Sequence, residues 1–205
     1  MSFGPEEFQA RTGASDSEVA ELERFRLLLA DWNERMNLVG PSALAEFWLR
    51  HAFDSAQLLP LAPEAKTWSD LGAGAGFPGV VLAILLRKQG GRVYLVDSLL
   101  KHCRFLQAVA DDLALPVEVH HSRAESWKRK GVDIVTARAL APLPRLLTYA
   151  EPVLKTGATA LFLKGRDVEA ELTEARKSWT FHHDLVPSLS DPDGRVLKLW
   201  SLARV

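Results

Sequence analysis

The rhythm of apolar and polar positions changes near Pro60-Leu61-Ala62-Pro63. Before that point it is helical. Val19, Leu22, Phe25 and Leu29 follow one another three or four residues apart, which places them on one face of a helix reaching about Asp31. Ser15 with Glu18 three residues on has capping-box spacing and marks where that helix starts. Pro41-Ser42-Ala43 opens a second helix toward Arg50, since proline is tolerated in a first turn. Trp32-Asn33 and Asn37-Leu38, between the two, read as a packed turn.

After Lys66 short apolar runs alternate with amphipathic stretches, the pattern of a parallel sheet with crossover helices. It predicts strands at residues 67–71, 92–96, 117–120, 132–137 and 159–164. Two further runs, 181–187 and 196–203, are joined by a turn-rich stretch containing Asp191-Pro192-Asp193-Gly194. That link has no room for a helix, so the last pair should be an antiparallel hairpin. The expected fold is α/β, a mostly parallel seven-stranded Rossmann-like sheet closed by a C-terminal hairpin. Such a sheet suits a class I methyltransferase better than a dinucleotide dehydrogenase. Residues 1–62 form an N-terminal helical extension, and residues 63–205 form the main domain.

Composition narrows the setting. A chain of 205 residues with 47% apolar side chains can bury one normal core. It holds no apolar run long enough for a membrane span, and its start lacks the basic-then-apolar pattern of a secretory signal, so a cytoplasmic location is expected. Cys103 is the only cysteine; it predicts a buried, inert thiol, and neither a disulfide nor a metal site is expected. The 25 basic and 26 acidic residues nearly cancel, so net charge does not mark a nucleic-acid binder. Locally, however, residues 120–145 carry Arg123, Lys128, Arg129, Lys130, Arg138 and Arg145 against Glu125 and Asp133, a surplus able to face phosphate.

The most specific motif is Asp70-Leu71-Gly72-Ala73-Gly74-Ala75-Gly76-Phe77-Pro78-Gly79, between a predicted strand and helix. Its glycines permit positive φ and close approach of a ligand to backbone N–H groups. Counted from Gly72 the dinucleotide spacing fails, but counted from Gly74 it succeeds with Gly76 and Gly79, so spacing leaves both cofactor classes open. Asp70, two residues ahead of Gly72, is awkward beside a pyrophosphate and suits a cationic, amino-acid-bearing sulfonium, whose methionine end it is expected to face. Asp97, ending the second strand, is placed to accept both ribose hydroxyls. Backbone groups at Ala124, with Glu125, are candidates for holding an adenine edge.

Methyltransferases that act on an exocyclic base amine present Asp or Asn, then Pro-Pro and an aromatic, after the fourth strand. This chain has Ala137-Arg138-Ala139-Leu140 there. Cys103 lies in a predicted helix, away from that edge, which argues against a cysteine nucleophile. An arginine suits an acceptor with a free lone pair that loses no proton, such as guanine N7. No general base is then needed, and Arg138 is the candidate for orienting the acceptor.

Asp70–Gly79, Asp97-Ser98 with Lys101 and Arg104-Phe105-Leu106, Ser122–Glu125, Arg138-Ala139 and Lys164-Gly165 together resemble the bacterial small-subunit rRNA guanine-N7 methyltransferases, the glucose-inhibited division protein B family. The likeness extends upstream to Trp32-Asn33, Asn37-Leu38, His51 and Asp54-Ser55, so it spans residues 20–205. It implies S-adenosylmethionine as cofactor and one guanine in the decoding-region loop of 16S rRNA as acceptor, presented as RNA or as the small-subunit particle. Gly72, Phe77, Ala124, Glu125 and Arg138 are the implied cofactor contacts, beside Asp70, Gly74 and Asp97 from the motif itself. Lys101, Arg104, Arg123 and Lys164 are expected to face RNA phosphate around the cleft mouth. Where the family pattern often has Lys-Arg, this chain has Lys101-His102. A monomer is expected. The alternatives are a methyltransferase of a small molecule or protein, or a non-enzymatic RNA-binding Rossmann-like module.

Overall fold

A computed structural model describes residues 3–205. Its centre is one sheet in the order β3-β2-β1-β4-β5-β7-β6. The strands are β1 (Thr67–Leu71), β2 (Arg92–Asp97), β3 (Val117–His121), β4 (Ile134–Arg138), β5 (Thr159–Lys164), β6 (Trp179–Pro187) and β7 (Arg195–Arg204). The first five run parallel, while β7 pairs antiparallel with both β5 and β6. Each lies within two residues of its expected bounds, and the hairpin is where the turn-rich link predicts it. The chain moves outward from β1 through β3 and then returns to place β4 on β1's other side. That reversal opens a crevice at the carboxyl ends of β1 and β4, the usual place for a ligand in such sheets.

Helices cover both faces. α5 (Gly79–Leu86) is apolar throughout and buried at all eight positions, wedged between the sheet and the N-terminal helices. α6 (Leu100–Asp112) is amphipathic and buries Cys103, Phe105, Leu106 and Val109. α7 (Leu143–Leu154) and α8 (Val168–Ala175) close the opposite face over Val135, Phe162 and Leu197.

At the N-terminus, α1 (Pro5–Thr12) precedes α2 (Asp16–Met36). α2 begins at the predicted capping box: Ser15 N donates to Glu18 Oε2 at 2.7 Å and Glu18 N to Ser15 Oγ at 3.4 Å, a cap worth about 0.5–2 kcal/mol. It ends at Asn37 in the left-handed region, with Val39 N bonded to Asn33 Oδ1 at 2.9 Å, so the Trp32–Leu38 segment is the packed turn expected.

The helix expected from Pro41 to Arg50 does not run through. α3 (Pro41–Ala45) gives way to a π-helical stretch, Phe47–Phe53, and the short α4 (Asp54–Ala56). The physical reason is visible in burial. Phe47 and Trp48 are followed five residues later by Ala52 and Phe53, all four buried, and five-residue spacing matches the i→i+5 bonding of a π-helix. Phe8, Leu22, Phe25, Leu29 and Phe47 form one core with Trp68, Val80, Ile84 and Phe105. The change of composition near residue 62 is therefore not a gap in packing.

Candidate active site

β1 ends at Leu71, and the following loop turns through Gly72, Gly74 and Gly76 with φ of +71°, +53° and +92°. Gly72 N and Ala73 N both donate to Val96 O, at 2.8 and 3.1 Å, tying the loop to β2. A Cβ on Gly72 would stand 2.6 Å from Leu140 Cδ1, so the Leu140 side chain packs where a side chain at this position would lie, and Gly72 itself lines the cleft. Asp97, the last residue of β2, holds the loop from the other side. Its Oδ2 accepts from Gly74 N and its Oδ1 from Leu99 N, each at 2.8 Å. His102 Nδ1 stands 3.1 Å from the same Oδ1 without hydrogen-bond alignment.

These groups border a cleft of about 330 Å³. Gly72, Gly74, Asp97, Ala124, Glu125 and Arg138, six of the sequence-predicted cofactor residues, line it. Ala124–Ser126 is a single 3-10 turn after β3 that brings Ala124 and Glu125 to the rim. Leu140 and Tyr149 supply apolar wall.

Asp70 and Phe77 are elsewhere. Asp70 is fully buried under the cleft floor, where Oδ2 accepts from Gly79 N at 2.9 Å and Oδ1 from Thr136 Oγ1 at 3.0 Å. It ties the start of α5 to β4 and does not face a methionine end. Burial pushes its carboxyl up to about 7, with the two hydrogen bonds opposing. Phe77 is carried by the turn at Gly76 back toward α2. Its ring stacks on His51 at 4.6 Å and packs against Phe25 at 5.3 Å, so it supports the loop from the core.

A second cavity, about 250 Å³, opens on the far side of Arg138 and Ala139. Both residues line both cavities, and Ala139 has a φ of +52°, a strained backbone for an alanine, at the junction. The second cavity is walled by Arg50 and Asp54 from the N-terminal region, Lys164 from β5, and Asp191 and Arg195 from the hairpin. Asp54 Oδ1 accepts from Gln57 Nε2 at 2.8 Å and from Ser190 Oγ. Its Oδ2 stands 3.6 Å from Arg138 Nη1. Nη1 is buried and makes no hydrogen bond among the described residues. Burial lowers the Arg138 guanidinium's pKa against the attraction of Asp54, and raises that of the Asp54 carboxyl against Arg138. Arg50 Nη1 pairs with Asp191 Oδ2 at 2.7 Å.

The four expected phosphate contacts do not converge on the cleft mouth. Arg123 lines the cleft with its side chain 78% exposed. Lys101 and Arg104 lie on exposed positions of α6 away from both cavities, and Lys101 Nζ donates to Met36 O at 3.1 Å. Lys164 is a correction: its side chain is 9% exposed, paired with Glu171 Oε2 at 2.5 Å and bonded to Ala141 O at 3.3 Å. A nearly buried ammonium is kept by such a partner, and this one is already neutralised. Within the basic surplus at 120–145, Arg129 lies over the Tyr94 ring and donates to its hydroxyl at 2.8 Å, a packing role. Arg50, Asp191 and Arg195 were invisible to sequence reasoning, because they come from separate segments that only the fold brings together.

The family model for GidB, described as rRNA small subunit methyltransferase G, matches residues 18–196. The chain belongs to this family. Its GidB relatives include the ribosomal RNA small subunit methyltransferase G of Caulobacter vibrioides, 61% identical over 199 residues that cover 97% of this chain and 92% of that protein. That of Paramagnetospirillum magneticum is 46% identical over 203 residues, 98% of each. Among solved structures, a SAM dependent methyltransferase from Aquifex aeolicus aligns with a TM-score of 0.59 at 18% identity, covering 84% of this chain and 98% of that one. A mutant of MtNAS in complex with S-adenosylmethionine also gives 0.59, at 15% identity, with 97% and 84% covered. These likenesses are of fold, and the fold is the class I methyltransferase sheet that the sequence pattern predicts. Among the described residues of this GidB-family chain, no His, Cys, Asp and Glu cluster could hold a metal ion, and no helix is long and apolar enough to cross a membrane.

Proposed function

We propose that this chain transfers a methyl group from S-adenosylmethionine to N7 of one guanine in the decoding-region loop of 16S rRNA. The observation that carries the reading is the pair of cavities meeting at Arg138-Ala139, one suited to a cofactor and the other to an acceptor. The cofactor fit rests on the glycine loop, whose Gly72 and Gly74 line the cleft without side chains, and on the Asp97 carboxylate at the end of β2. Gly72 and Gly74 would admit the amino-acid end, Asp97 would accept from the ribose hydroxyls, and the Ala124-Glu125 rim would hold the adenine. When bound, the cofactor supplies a methyl group activated by a sulfonium. An N7 acceptor loses no proton, so the residues of this chain have only to orient it. Holding acceptor and methyl in line accounts for up to roughly 7–11 kcal/mol of such a barrier.

Residues 63–205 would carry the cofactor cleft, while residues 1–62 would lend Arg50 and Asp54 to the acceptor side. On this reading the chain acts as a monomer, in the cytoplasm where rRNA is found. Whether naked RNA or the small-subunit particle is taken is read by the same assay. Purified protein with labelled S-adenosylmethionine should transfer label to undermethylated 16S rRNA or particles and not to metabolite or protein pools. Label in a metabolite or protein fraction alone would favour the other acceptor classes.

A further inference from the structure

Two residues that line the cavity on Arg138's far side, Asp54 and Arg138 itself, each carry a polar atom that the fold does not use fully. Asp54 is fixed through Oδ1 by Gln57 and Ser190, while Oδ2 takes no hydrogen bond among the described residues. Arg138 Nη1, 3.6 Å away, is buried without an acceptor. A buried donor left without a partner is costly and marks a place where a ligand acceptor belongs.

We propose that this cavity seats the target guanine, turned out of its RNA strand, and that Asp54 with Arg138 reads its Watson–Crick edge and O6. The inference rests on the rRNA-guanine reading above and names the residues that select the base. Guanine is the base whose edge carries two adjacent donors, N1–H and the 2-amino group, followed by an acceptor, O6. A carboxylate oxygen has two lone pairs and no donor, so Oδ2 matches the first two groups and Nη1 matches the third. Adenine and cytosine would each turn a lone pair toward Oδ2. The order also fits the reaction. Around the guanine perimeter the groups run 2-amino, N1, O6, N7, and in the protein they run Asp54, Arg138, cofactor cleft, since Arg138 borders both cavities. N7 then faces the cleft. Its lone pair forms the new N–C bond as the carbon–sulfur bond breaks with its electrons left on sulfur. The base gains the positive charge, with the Asp54 carboxylate beside it.

The test is a double-mutant cycle between Asp54→Asn and an inosine, which lacks the 2-amino group, ligated into the rRNA at the target position. Wild-type kcat/KM should fall about tenfold on inosine, the loss of one hydrogen bond to a charged acceptor. Asp54→Asn keeps its carbonyl on Gln57 and Ser190 and turns its amide donors to the cavity. It should lose roughly ten- to a hundredfold on guanine and then treat guanine and inosine alike within about twofold, with cofactor affinity by calorimetry unchanged. A variant that preserves wild-type discrimination overturns the proposal. So does a wild-type enzyme that methylates both bases equally, a comparison needing no variant. Failure of the wild type to methylate rRNA guanine at all would instead remove the broader reading.

Discussion

Replacing Asp70 by Asn separates a buried tie from a cofactor contact. Its carboxyl is raised by burial from an ordinary value near 3.8 to about 7. Between those values the folded chain binds a proton that the unfolded chain has released, so this group's contribution to stability falls as pH rises through that window and is level above it. Three pKa units correspond to about 4 kcal/mol, and structural relaxation brings the expected difference nearer 2–4 kcal/mol. Asn carries no charge, and its carbonyl can accept from Gly79 N while its amide donates to Thr136 Oγ1, whose hydroxyl is already within 3.2 Å of Ser69 O. Asp70→Asn should therefore match wild type in urea denaturation near pH 4 and exceed it by about 2–4 kcal/mol at pH 8. Asp70→Ala should lose about 1–3 kcal/mol at pH 5, because Gly79 N–H is left without a partner. Cofactor affinity of Asp70→Asn should stay within about threefold of wild type. A tenfold loss of affinity with no gain in stability at pH 8 would refute the reasoning and return Asp70 to the cleft.

Gly72→Val forces a branched side chain into a φ of +71° and against Leu140, which should cost about 1–3 kcal/mol of stability and abolish cofactor binding by calorimetry in protein that still folds. Asp97→Ala should weaken cofactor binding by about 1.5–3 kcal/mol, and a change below about twofold would count against its role. The His51 imidazole is lowered to about 4 by burial and by the Arg138 and Arg50 charges. Its contribution is complete above the unfolded value of 6.5 and is lost as pH falls toward 4, on the order of 2 kcal/mol after allowing for residual solvent. His51→Phe should remove that part of the acid sensitivity, read as the variant-minus-wild-type difference because Asp70 acts oppositely in the same window. If Arg123 touches RNA phosphate, Arg123→Gln should lower the salt slope of rRNA binding by about one unit, with Lys164→Met leaving the slope unchanged because Glu171 already neutralises that lysine.

The sheet was legible because β1 to β5 are short apolar runs punctuated by turns, and because Asp191-Pro192-Asp193-Gly194 admits only a tight link. The edge of the cleft was legible for a related reason: Gly72, Gly74, Asp97 and Arg138 sit at or just beyond carboxyl ends of parallel strands, and strand ends can be read from the pattern. Asp70 was misplaced because spacing to a glycine says nothing of which way a strand residue faces. Here it turns inward and meets Gly79 and Thr136. Lys164 failed for a similar reason, since its partner Glu171 comes from α8 and the pairing is tertiary. The π-helical stretch hid because its apolar residues repeat every five positions, a period easily taken for a fading α-helix. The second cavity was not legible as a cavity, although Asp54, Arg138 and Lys164 stand in the family motifs, because Arg50, Asp191 and Arg195 join them only when the hairpin loop folds onto the N-terminal segment.

The central claim is methylation of one guanine at N7 in small-subunit rRNA. Mapping of N7-methylguanosine across 16S rRNA, by selective cleavage or mass spectrometry, in cells with and without this protein tests it most directly. One modified guanine in the decoding-region loop should disappear without the protein and return with the wild-type gene but not with Gly72→Val. An identical map in the two strains would contradict the account.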